Sequence, residues 1–137
     1  MSAQVIVSFK NQLTEIEHLE RVLNEFAEQH HWSPRTLLQM NVSLEELLTN
    51  VISYAYGDNQ EHEIVLRLSF TDGEIIAELE DDRQPFNPFE RTEPDLSIPL
   101  EERPIGGLGI FLARKFVTDA TYQRRDGKNL LTLKKTI

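Results

Sequence analysis

Cysteine is absent from the 137 residues. Disulfides, thiolate catalysis and cysteine-based zinc sites are therefore excluded. No apolar run approaches the ~18 residues that a membrane helix needs. The opening stretch "MSAQVIVSFKNQ" lacks a basic segment followed by a long apolar one, so no signal peptide is expected and the reading is a soluble, cytoplasmic protein. Basic residues are also in short supply: 14 stand against 23 acidic ones, for a net charge of −9. A phosphate backbone would be repelled by that balance, so direct nucleic-acid binding is not expected. The same field favours encounter with a basic protein partner, or serves solubility alone. Histidine is scarce, and His18, His30, His31 and His62 form no metal-ligand pattern. The pair His30–His31 sits where a helix should end, and the helix dipole accounts for a cation there.

With 39% hydrophobic residues the chain can bury one sizeable core, and residues 1–137 are expected to form a single domain. "QVIVSFK" (Gln4 to Lys10) is a β-branched run and predicts a strand. Leu13, Ile16, Leu19, Val22, Leu23 and Phe26 recur at helical spacing, with Asn11 or Thr14 as the cap ahead of Glu15 and Glu17. Ser33 and Pro34 predict the start of a second helix reaching about Tyr56, with Gly57 as its stop. Trp32 is expected to pack where the two helices meet. "HEIVLRLSF" and "EIIAELED" flank "TDG" and predict a hairpin; "ATYQRR" and "NLLTLKK" around "DGKN" predict another. A third helix is expected from about Leu108 to Thr118. Five of the six prolines fall within 85–104, which should be a long loop acting as a lid. The order β-α-α-β-β-loop-α-β-β predicts an α+β sandwich, with helices on one face of a mixed, mostly antiparallel sheet. A Rossmann arrangement needs alternating β and α units and an early glycine fingerprint, and neither is present.

Three stretches could carry chemistry. In "SLEELLTNVISYAY" Glu46 and Asn50 are one helical turn apart on one face. Asn50 lies among Leu47, Leu48, Val51 and Ile52, where an amide is costly to bury without a partner. A helix-edge asparagine beside a solvated glutamate is the plainer reading. In "ELEDDRQPF" Asp81 and Asp82 stand where a strand runs out. Such a carboxylate can accept a hydrogen bond from an amine, an adenine amine among them, or it can simply open a turn. In "RPIGGLGIFLARKF" Gly106, Gly107 and Gly109 crowd a helix start, where backbone N–H groups and the helix dipole can hold an anion. A tight turn before a helix would also use glycines. No lysine followed by serine or threonine comes next, so this is not a Walker loop.

In this order and spacing the three stretches resemble the GHKL-type ATPase/kinase superfamily, and within it the anti-sigma-factor serine kinases of the RsbW/SpoIIAB type, over about residues 5–136. The resemblance implies a Bergerat-type two-layer α/β sandwich with ATP and Mg2+ as ligands. On this pattern Asn50 coordinates Mg2+ through its side-chain oxygen, which suits a hard cation. Glu46 is the general base for a substrate serine, and Asp81 receives the adenine amine. Gly106, Gly107, Leu108 and Gly109 cradle phosphates, and Thr132 lies beside adenine. Arg103, on the lid near the glycines, is placed to neutralise phosphate charge.

The implied function is partner switching in transcription regulation. The protein would phosphorylate a serine of a small antagonist protein and sequester a sigma factor or similar target, as a homodimer. The pattern also departs from the family. Its D-x-G-x-G box reads "DDRQP", with Arg83 and Pro85 in place of glycines, and Tyr54 replaces a histidine. Arg83 would either crowd the base pocket or stack over it. A non-catalytic protein-binding module of the same fold is therefore the alternative. The ATP-binding domain of a sensor histidine kinase is a further reading, although no phosphoacceptor helix pair is visible.

Overall fold

The computed structural model describes residues 2–54, 60–90 and 107–137. Among the described residues five strands and three helices follow the expected order: β1 (Ser2–Lys10), α1 (Glu15–Gln29), α2 (Pro34–Tyr54), β2 (Glu63–Thr71), β3 (Glu74–Asp81), α3 (Gly107–Lys115), β4 (Asp119–Arg125) and β5 (Lys128–Thr136). A single 3-10 turn, Pro88–Glu90, follows β3. The rest of the expected lid, the Gly57 stop, Arg103 and Gly106 lie outside the described residues.

The sheet order is β1-β2-β3-β5-β4, and every pairing is antiparallel rather than mixed. Connectivity explains this. Two helices, not one, separate β1 from β2, so the chain returns in the opposite sense. α3 precedes β4 after β3, and β5 inserts between those two strands. Both hairpins close through two-residue Asp-Gly turns with positive φ at each position: Asp72 (50°) and Gly73 (77°), Asp126 (54°) and Gly127 (76°). That is the turn geometry whose twist matches paired strands.

Strand alternation sorts the sheet into two faces. Ile64, Leu66 and Leu68 of β2, Ile75, Ala77 and Leu79 of β3, and Leu131 and Leu133 of β5 are buried under the helices. They join Leu19, Leu23 and Phe26 of α1, Met40, Leu44, Leu47, Leu48 and Val51 of α2, and Ile110 of α3 in one core. Each fully buried leucine contributes roughly 1.5–3 kcal/mol. The other face carries charge, with Glu80 between Arg67 (3.4 Å) and Lys128 (3.6 Å). Thr132 belongs to that face, since its cross-strand partners are Glu78 and Thr121 and its chain neighbours Leu131 and Leu133 point into the core.

The helix ends are set locally. Ser33 Oγ accepts from the Thr36 amide at 3.1 Å and caps α2 as expected. Thr14 is the N-cap of α1 but makes no side-chain cap bond. Asn11, the other expected cap, instead clamps the approach to β2, accepting from the His62 amide (2.9 Å) and donating to Gln60 O (3.0 Å). Trp32 packs edge-on against Phe26 at 5.5 Å, at the turn between α1 and α2. α3 ends at Lys115, short of the expected Thr118, whose amide donates to Lys134 O in the sheet.

Between α1 and α2, burial and then the facing Glu20 push the Glu45 carboxyl up from 4.5 to about 7. A carboxyl raised in the folded state stabilises the fold when protonated. That contribution is full below pH 4.5 and is lost as pH rises through about 7. Urea unfolding from pH 5 to pH 8.5 should show Glu45→Gln gaining stability over the parent protein as pH rises. A constant difference across that range would contradict the raised Glu45 carboxyl.

Candidate functional site

Four of the buried polar residues, Asn50, Asp81, Arg83 and Asn129, gather at one end of the sandwich. Glu46 and Asn50 lie on successive turns of α2. Asn50 is 4% exposed; its amide nitrogen donates to Glu46 O (2.7 Å) and Glu46 Oε1 (2.9 Å). Its Oδ1 is buried with no hydrogen-bond partner. The cost of an amide in an apolar stripe is thus met on the nitrogen side and left open on the oxygen side.

α3 approaches Glu46 from the front. A Cβ placed on Gly109 would fall on the Glu46 carboxylate. The third glycine of the cluster is therefore needed for a close approach, with Glu46 packed against the first turn of α3. Gly107 and Leu108 form the start of that turn. Behind it, Ser43 Oγ donates to Ala113 O at 3.2 Å and holds α3 onto α2.

Asp81 ends β3 on the core face and is 2% exposed. Its Oδ1 accepts from Asn129 Nδ2 (3.0 Å) and from the Arg83 amide (3.1 Å), while Oδ2 is buried without a partner. Burial raises its carboxyl above the usual value, and the bonds from Asn129 and Arg83 and the Arg83 charge pull the other way. Arg83 is itself buried. Its guanidinium lies 4.1 Å over the Phe86 ring, Nε is 3.7 Å from Asp81 Oδ1, and Nη1 reaches Asn50 O at 3.5 Å. Of the two placements open to Arg83, the side chain takes the inward one. It connects the Asp81 end of the site to the Asn50 end.

Asn129 was not apparent from the sequence as a site residue, yet it organises this end. It donates to Asp81 Oδ1 and to Gln84 O (3.0 Å each), and accepts from Tyr122 Oη (2.6 Å) and the Phe86 amide (3.4 Å). Arg124 adds a bond to Arg83 O at 2.7 Å. One signal was available. Asn129 shares the strand alternation of Leu131 and Leu133, which puts a polar side chain in register with the core. Thr132 does not join the site, because one residue along a strand reverses the face.

The structure thus brings together Glu46, Asn50, the α3 start with Gly109, and Asp81. Its chemical character is a pair of buried, unsatisfied oxygens, one amide and one carboxylate, beside a glycine-bared helix N-terminus.

A family model described as a histidine kinase-like ATPase domain (HATPase_c_2) matches residues 9–135. Serine/threonine-protein kinase BtrW of Bordetella bronchiseptica is 32% identical over 111 residues, which span 81% of this chain and 78% of that one. Among solved structures, the RsbU and RsbW domains of Rv1364c from Mycobacterium tuberculosis superpose with a TM-score of 0.71 at 14% identity. The match covers 98% of this chain and 32% of that longer one. That likeness is one of fold.

The contact between Gly109 and Glu46 has a direct test in a double-mutant cycle read by urea unfolding. Alanine is the better helix former by about 1 kcal/mol, so Gly109→Ala should stabilise a Glu46→Ala background. In the parent protein it should be about 1 kcal/mol less favourable, because it expels the carboxylate from its bond to Asn50. Equal effects in both backgrounds would refute the packing described.

Proposed function

Since the chain belongs to the histidine kinase-like ATPase domain family, we propose that it binds ATP with Mg2+ and transfers the terminal phosphoryl group to a serine of a small antagonist protein. The observation that carries the reading is that two buried oxygens at this end of the fold, Asn50 Oδ1 and Asp81 Oδ2, lack hydrogen-bond partners. Each is an acceptor awaiting a donor or a cation; Glu46 joins Asn50 to the start of α3, and Arg83 links Asn50 to Asp81.

Mg2+ takes oxygen ligands and keeps most of them from water and phosphate. A single amide oxygen from the protein fits that habit, and Asn50 Oδ1 is the group available. When bound with the nucleotide, the cation neutralises charge on the phosphates. Asp81 Oδ2 would accept from the adenine amine, held in place by Asn129 on Oδ1. The α3 start, from Gly107 through Gly109, offers N–H groups to phosphate oxygens, with Gly106 and Arg103 completing the phosphate end. Glu46 is the base. Asn50 orients its carboxylate through Oε1, which leaves the second oxygen to take the hydroxyl proton as the serine oxygen bonds to phosphorus and ADP leaves. Positioning and charge neutralisation supply most of the acceleration in such transfers, so one carboxylate suffices.

In the cell the protein would switch partners, holding a sigma factor or a similar target until the antagonist displaces it. It would act as a cytoplasmic homodimer in transcription regulation. The net charge of −9 suits a basic target surface. No described helix is long and apolar enough to cross a membrane. The relation to BtrW, whose name states a serine/threonine kinase, supports the reaction class. A second reading, a protein-binding module that has lost turnover, draws on one observation: Arg83 is buried against Asp81 where the family pattern has glycine.

Calorimetric titration with Mg-ATP and Mg-ADP should show saturable micromolar binding, with Asn50→Ala weaker by about tenfold or more. Glu46→Gln should keep ATP affinity while lowering phosphotransfer to the antagonist by about 100-fold or more, the usual share of a general base. Nucleotide binding with no phosphotransfer by the parent protein would favour the second reading. Absence of binding at millimolar nucleotide would exclude the kinase reading and leave the protein-binding one.

A further inference from the structure

We propose that Arg83 is a built-in competitor for the base end of the nucleotide site, so that binding requires its guanidinium to leave. The inference rests on the reading of Asp81 as the acceptor for the base.

Asp81 itself begins the arrangement. Its Oδ1 accepts the Arg83 amide at 3.1 Å, a turn across two residues that bends the chain back at the strand end. The side chain then folds inward instead of out to solvent. Its side chain is 2% exposed, its guanidinium carbon lies 4.1 Å from the centre of the Phe86 ring, and it reaches from Asp81 to the Asn50 carbonyl. A purine amine seeking Asp81 makes two demands: a face to stack on and a carboxylate to donate to. A guanidinium is planar, carries only donors, and makes the same two demands. Arg83 therefore stands in for the ligand in shape and in hydrogen-bond polarity.

The hold on Asp81 also suits exchange. Nε lies 3.7 Å from Oδ1, an ion pair longer than a hydrogen bond, and Oδ2 keeps no partner at all. The carboxylate is thus occupied on one side and unsatisfied on the other. Buried ion pairs contribute little net stability, because desolvation offsets attraction. A ligand that satisfies Oδ2 makes a contact with Asp81 that Arg83 leaves unmade. The apparent dissociation constant equals the intrinsic one divided by the fraction of molecules in which Arg83 is out. Glycine at this position would leave that fraction at one.

The test is calorimetric titration of Mg-ATP into the parent protein, Arg83→Ala, Arg83→Gly and Arg83→Gln, with melting curves of each protein empty and loaded. Arg83→Ala and Arg83→Gly should bind about tenfold tighter or more, the equivalent of ~1.4 kcal/mol. Empty, they should melt no higher than the parent, and saturating nucleotide should raise their melting temperature by more than it raises the parent's. Arg83→Gln, shorter and uncharged, should fall between and serves if the smaller replacements fail to fold. Folded variants whose affinity is unchanged or weaker would overturn the proposal, and weaker binding would make Arg83 a platform for the base. Those outcomes leave nucleotide binding intact. No binding by the parent or by any variant would instead remove the nucleotide reading, and this inference with it.

Discussion

A carboxylate taken out of water at the end of a strand has to be supplied with donors, and Asp81 shows what that supply demands of a fold. Its Oδ1 draws the amide of Asn129 across from β5 and the backbone of Arg83 from the turn that follows. Asn129 is in turn held by Tyr122 of β4. Three strands and the turn after β3 thus meet on one side chain. The second carboxylate oxygen stays empty, as does the amide oxygen of Asn50 on the helix above. Buried acceptors without partners are costly, and a stable fold retains them when a ligand is to complete them.

The helices supply the opposite end. α2 presents Glu46 and Asn50 from one face while its remaining width is committed to the core. α3 brings its N-terminal turn against Glu46, an approach that only a glycine at 109 permits. Rigid elements therefore hold the polar groups, and the apolar packing beneath sets their spacing. The proposed phosphoryl transfer would depend on such placement more than on any unusual reactivity. If Arg83 competes with the base for Asp81 as proposed, a cation of this chain is in conflict with that placement. The conflict bears on affinity without disturbing the fold, because the Arg83 backbone keeps the turn that Asp81 requires.

How much was legible differs from element to element. Both Asp-Gly turns, the Ser33 cap and the apolar period of α2 are local features, and each led to the element observed. The pairing of Glu46 with Asn50 is also local, being one helical turn. Asn129 was legible only as a polar residue in step with Leu131 and Leu133, a signal too slight to act on before its partner on β3 was known. Thr132, expected beside the base, sits one step off the core face and points away from it. Asn11, expected to cap α1, found a better use across the fold at His62 and Gln60.

The sequence by itself determined the order and kind of the elements, the turns that join the strands, and the two short motifs on α2 and α3. Those depend on backbone preferences and on periods of two and 3.6, which are written within a few residues. Tertiary structure alone decided which way Arg83 points, which asparagine serves Asp81, and that Gly109 makes room for a carboxylate. Each of these is a contact between residues far apart in the chain. Its outcome depends on distances and burial that no local preference encodes.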